Sequence, residues 1–103
     1  MGVVILYINY ALPHCTTTMV QEKFDSMFMN CVFKIVEHQM DDAYKPGKRF
    51  KRFWIHVDSY RHDQMMNYLL ETIEKETFAK VYYEKTHGVD RYWKVKKVNE
   101  CPF

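Results

Sequence analysis

Between Phe50 and Val57 two kinds of side chain alternate: Phe53, Ile55 and Val57 hold one set of positions, Arg52, Trp54 and His56 the other. A strand sends successive side chains to opposite faces. This spacing therefore predicts one strand that fills a core with the first set and exposes the second on an open sheet. A cation, a large π-surface and a titratable ring side by side suit non-covalent chemistry, in which bases stack on the aromatic surface and the cation meets phosphate. His56 can join either contact. Near the other end of the chain Tyr92, Lys94 and Lys96 alternate with Trp93 and Val95, which predicts Trp93 in the core and Tyr92 outside; a slip of one residue would reverse both. Cations gather in two clusters, Lys48, Arg49, Lys51 and Arg52 in one and Arg91, Lys94, Lys96 and Lys97 in the other, and both attract phosphate.

Other reactive residues assemble into nothing. His14, Cys15 and Cys31 would have to supply a nucleophile and base or a metal site, but no spacing supports either, and free cysteines are usually small buried hydrophobes. Asp41-Asp42 is a solvated turn unless further carboxylates converge on it. With no nucleophile, base and stabilising group to combine, no enzymatic activity, cofactor or metal is expected. Three cysteines are an odd number without C-x-x-C spacing, which suggests neither a disulfide framework nor zinc and fits a reducing intracellular compartment.

The chain has 103 residues, 48% of them hydrophobic, enough for one domain with one core. Fifteen Lys+Arg against thirteen Asp+Glu leave a formal charge of only +2, so charge matters through its local distribution. Met1 to Ile8 is apolar without a basic leader or cleavage site, and no segment approaches the roughly 20 apolar residues that span a bilayer. No signal peptide and no membrane partner are expected.

The elements that must position the candidate residues can be placed in order. Val3 to Asn9 alternates as a first strand, with Tyr7 and Asn9 on one side, and Pro13 ends it. Thr16, Thr17 and Thr18 offer hydroxyls to a helix start, Thr18 with Gln21 at capping-box spacing, and Val20, Phe24, Met27 and Phe28 carry the helix to about Met29. Cys31 to His38 reads as a second strand. Gln39 to Arg49, with Pro46-Gly47, reads as a loop with a mobile tip. After Val57, Asp58-Ser59 can cap a second helix whose stripe is Met66, Leu69, Leu70 and Ile73. Phe78 to Glu84 is an extra short strand, Thr86 to Asp90 a turn, and Arg91 to Val98 the last strand. The order predicts an α+β, ferredoxin-like β-α-β-β-α-β two-layer sandwich, with a four-stranded antiparallel sheet and both helices on one face. In that topology the first and third strands are neighbours, which sets Tyr7 and Asn9 beside Arg52, Trp54 and His56.

At Leu6-Tyr7-Ile8-Asn9-Tyr10 and Phe50 to Val57 the chain resembles the RNA recognition motif (RRM) family, with Tyr7 and Trp54 at the stacking positions of its two signatures. Lys51, Arg52 and Val57 depart from that pattern, standing where a glycine and two aromatics are usual. Phe50-Lys51-Arg52-Phe53-Trp54-Ile55-His56-Val57 and Val81-Tyr82 followed by Arg91-Tyr92-Trp93-Lys94-Val95 are also similar to patterns in RRM-like proteins of large eukaryotic DNA viruses. The resemblance implies one RRM-like domain over residues 1–98 with a tail at 99–103. It also implies a viral protein of the host cytoplasm or nucleus, or one packaged in the virion.

Two functions follow as expectations. The first is a single-stranded RNA-binding module that uses Tyr7, Asn9, Arg52, Trp54, His56, Tyr92, Lys94 and Lys96. The second is a viral protein-interaction or virion component that uses the same fold to hold a protein partner without RNA.

Overall fold

Seven elements follow one another in the computed structural model, which describes residues 3–28, 31–41, 49–58 and 64–102. They are β1 (Val3–Ala11), α1 (Thr17–Met27), β2 (Val32–Asp41), β3 (Arg49–Asp58), α2 (Gln64–Glu76), β4 (Ala79–Thr86) and β5 (Val89–Val98). The strands form one sheet in the order β2-β3-β1-β5-β4, and every neighbouring pair is antiparallel. The α+β plan and the pairing of the first and third strands agree with the sequence reading. The strand count does not. The segment expected as a short extra strand is eight residues long and extends the sheet to five strands. Its Ala79 and Val81 alternate into the core opposite Val95 and Trp93, so both its backbone and its apolar side chains gain by joining β5.

One apolar layer lies between the sheet and both helices. Leu6, Ile8, Phe53, Ile55, Val57, Val81, Trp93 and Val95 from the strands meet Val20, Phe24, Met66, Leu69 and Ile73 from the helices. The expected core residues Phe24, Phe28, Phe53, Ile55, Leu69, Ile73 and Trp93 are all buried. In α1, Val20 and Phe24 fall four apart on one face, and in α2 Met66, Leu69 and Ile73 follow the same stripe logic. Trp93 lies flat against Tyr83, ring centroids 4.4 Å apart.

Boundaries differ from the sequence reading where local hydrogen bonding decides them. The cap of α1 is Thr16, not Thr18: its hydroxyl accepts from the Met19 backbone N–H at 3.1 Å, and its extended backbone suits that role. Strand β2 continues to Asp41 and β3 starts at Arg49, because Gln39, Met40 and Asp41 pair with Lys51, Phe50 and Arg49. Only the middle of the expected loop is left between them, and Pro46-Gly47 lies outside the described residues. Asp58 is the last residue of β3, its backbone N–H bonded to the Cys31 carbonyl; Ser59, the other expected cap of α2, and the stretch 60–63 lie outside the described residues. Thr86 pairs with Val89, so the β4–β5 turn contracts to His87-Gly88, where Gly88 takes φ +80°.

The first basic cluster is divided by strand alternation. Lys51 points to the side of Phe53, opposite Arg52. Its ammonium donates to the Cys15 carbonyl at 2.7 Å and pairs with Glu37 at 3.0 Å. It ties the β1–α1 connection to the sheet rather than facing the helix-free side. Lys48 lies outside the described residues.

Candidate nucleic-acid interface

Register and alternation place all eight candidate residues on the helix-free face. Trp54 stands opposite Tyr7 of β1 and Val36 of β2, and Tyr7 stands opposite Lys96 of β5. Arg52 and His56 flank Trp54 on the same side of β3, Lys94 and Tyr92 continue the row from Lys96, and Asn9 follows Tyr7. The face nevertheless divides into two unlike halves.

Around Trp54 it is closed. Trp54 is only 5% exposed and lies outside the helix-side cluster, so the expected free stacking platform is absent. The physical reason is its central position. A residue on β3 has a cross-strand neighbour on each side at contact distance, and here one of them is the Tyr7 ring, 5.0 Å from the indole between centroids and tilted by 34°. The Tyr7 hydroxyl donates to Asn9 Oδ1 at 3.1 Å. Burial pushes the Tyr7 phenol above its ordinary pKa, with the Arg52 charge acting in the opposite sense. His56 packs near Phe33, ring centroids 5.9 Å apart, and its Nε2 is buried without a hydrogen-bond partner among the described residues. Burial, with the Lys34 charge adding to it, holds the His56 imidazole below the usual histidine pKa.

Across β1 the face opens. Pairing between β1 and β5 runs from Ile5↔Val98 to Ile8↔Val95 and stops, and the register of β1 on β3 shifts between Ile8 and Ala11. Ile8 and Ala11 are both in the core, three positions apart, so the two residues between them share the other side. Where β1 leaves β5, a concavity of about 410 Å³ is lined by Asn9, Tyr10, Tyr92, Lys94 and Lys96. Four of the five were expected from the sequence. Tyr10, 60% exposed and edge-on to Phe50 with centroids 5.6 Å apart, was not assigned a role. The apolar spacing Leu6, Ile8, Ala11, two positions and then three, is the signal that could have placed it.

The aromatic row continues onto β4. Tyr82 stands opposite Tyr92 with ring centroids 5.3 Å apart, and each ring carries a lysine: Lys80 Nζ lies 4.8 Å from the Tyr92 centroid and Lys85 Nζ 5.6 Å from that of Tyr82. Lys94 Nζ lies 5.0 Å from the Phe78 ring. Lys80 and Tyr82 were missed because the strand bearing them was not placed in the sheet.

Among the described residues no three His, Cys, Asp or Glu side chains gather to hold a metal, and Cys15 and Cys31 are buried free thiols. No described helix is long and apolar enough to cross a membrane. No family model, curated protein or solved structure matches the chain.

Proposed function

We propose that the chain is a single-stranded RNA-binding module of RRM-like kind, acting inside the cell, whose interface is the open half of the helix-free face. The observation that carries the reading is the concavity at the end of β1, where Lys94 and Lys96 meet the exposed tyrosines Tyr10 and Tyr92 and, among the described residues, no carboxylate lines the wall. Lysines there neutralise phosphate, and the tyrosines offer π-faces to splayed bases. Tyr82 with Lys80 and Lys85 lengthens the platform toward the sheet edge. Trp54 and Tyr7 support it from beneath the adjoining surface rather than stacking on bases.

The signature residues Tyr7 and Trp54 standing opposite each other support the RRM-like kinship; the viral origin rests on the sequence resemblance alone. One observation favours the rival reading, a viral protein-interaction or virion component: the Trp54 platform is covered, which suits a fold that has given up RNA.

Titration of labelled single-stranded and duplex RNA at two salt concentrations separates the two. The expected result is binding of the single strand that weakens with salt, with little for duplex, because stacking needs unpaired bases while phosphate neutralisation releases counterions. Equal affinity for both forms, or none for either, would overturn the proposal, and absence of binding would favour the protein partner.

A further inference from the structure

We infer that the concavity between β1 and β5 receives a nucleobase through its carbonyl oxygens and so prefers uracil to adenine; the inference rests on the RNA-binding reading and adds the base class to it.

The key residue is Asn9. A side-chain amide can ordinarily present either end to a ligand, but here the Tyr7 hydroxyl donates to Asn9 Oδ1 at 3.1 Å. The hydroxyl takes one of the two lone pairs of Oδ1 and orients the amide, so that Nδ2 is the end left to donate. Tyr7 is held in place by the Trp54 ring, 5.0 Å away between centroids, so the closed half of the face sets the polarity of the open half.

The other walls have the same polarity. Lys94 and Lys96 only donate, and the hydroxyls of Tyr10 and Tyr92 can donate or accept. Among the described residues the lining holds no carboxylate, so these five present an excess of donors. At about 410 Å³ it lies toward the small end of ligand pockets, roughly 300–1,000 Å³. That is room for one nucleotide rather than a run of them.

Uracil matches this wall. Its two carbonyl oxygens accept from the amide and an ammonium, and its single ring N–H can be taken by a tyrosine hydroxyl. Adenine can accept only through its ring nitrogens, one on its pairing edge, and sets an exocyclic amine beside it, so it satisfies fewer of these donors and turns one donor toward others, the costly case for a group withdrawn from water.

The test uses the intact chain and labelled nonamers of uridine and adenosine at one salt concentration, read by anisotropy. Uridine should bind about five- to tenfold tighter, the span expected of about one net hydrogen bond. Asn9→Asp makes the position acceptor-only and should bring the uridine-to-adenosine ratio to parity or below. Tyr7→Phe frees the amide to turn and should narrow the ratio. Asn9→Ala should narrow it as well, without adding a charge.

Equal binding of both nonamers would overturn the base assignment while leaving RNA binding intact; no binding of either would remove the interface itself. A uridine preference unchanged in Asn9→Asp and Asn9→Ala would place the selectivity elsewhere and overturn the role given to this site.

Discussion

On one side of Tyr7 the helix-free face is sealed by its own side chains, and on the other it gapes, although both sides are built from aromatics and cations on antiparallel strands. Trp54 has Tyr7 and Val36 opposite it and is 5% exposed. Tyr92 has only Tyr82 opposite it, because β1 no longer pairs with β5 at that level, and is 37% exposed. Residue type alone does not make a binding surface on a sheet. A ring on a central strand is covered by its neighbours, and it becomes available where pairing ends or a bulge turns a strand away.

The largest test of this contrast is Trp54→Ala. Were both halves surfaces of the same kind, its melting temperature would match that of the parent. Because Trp54 is buried, the expected loss is about 3 kcal/mol, near the lower end for truncating a buried tryptophan since the ring lies outside the helix-side core. In a domain of this size that lowers the melting temperature by more than about 10 °C. A thermal melt decides it.

Next is Tyr92→Ala, which should cost on the order of 1–3 kcal/mol of RNA affinity through loss of one stacking surface. The fold should survive, since Tyr92 lies outside the core. Tyr92→Phe keeps the ring and should retain most of the affinity; equal losses in the two variants would mean that the hydroxyl, not the π-face, is what matters. Lys94→Ala with Lys96→Ala should act on the salt dependence instead, lowering the slope of log affinity against log salt by about 0.7 for each phosphate contact removed. An unchanged slope would take the phosphate path off β5.

Thr77→Gly controls for stability apart from either half. Thr77 follows α2 at φ 71°, a left-handed position that a β-branched residue adopts at a cost and glycine adopts freely. Stability should rise by roughly 0.5–1 kcal/mol with RNA affinity unchanged.

The smallest expected effect is the pH response of the closed half. The folded pKa of His56 lies below the ordinary value of 6.5, mainly through burial and further through Lys34. Its neutral ring therefore contributes stability that is complete above pH 6.5 and is lost as pH falls from there through the lowered folded value. Melting temperature should fall on acidification over that window. His56→Gln should flatten the fall, and an unflattened curve would assign it to other groups.

Much of this was legible in one dimension because strands and helices write their periods into the sequence. Phe53, Ile55 and Val57 against Arg52, Trp54 and His56, and Trp93 and Val95 against Tyr92, Lys94 and Lys96, state which side each residue takes, since a pleated strand offers only two. Val20 and Phe24, like Met66, Leu69 and Ile73, mark the faces of their helices in the same way. Exposure is a different property, because it depends on what stands across the strand and how far the pairing runs. No alternation in β3 shows that Tyr7 covers Trp54, that β1 parts from β5 after Ile8, or that β4 brings Tyr82 and Lys80 alongside Tyr92. The sequence by itself determined direction, through the backbone's short-range stereochemistry; the tertiary structure decided access, because cover comes from residues dozens of positions away.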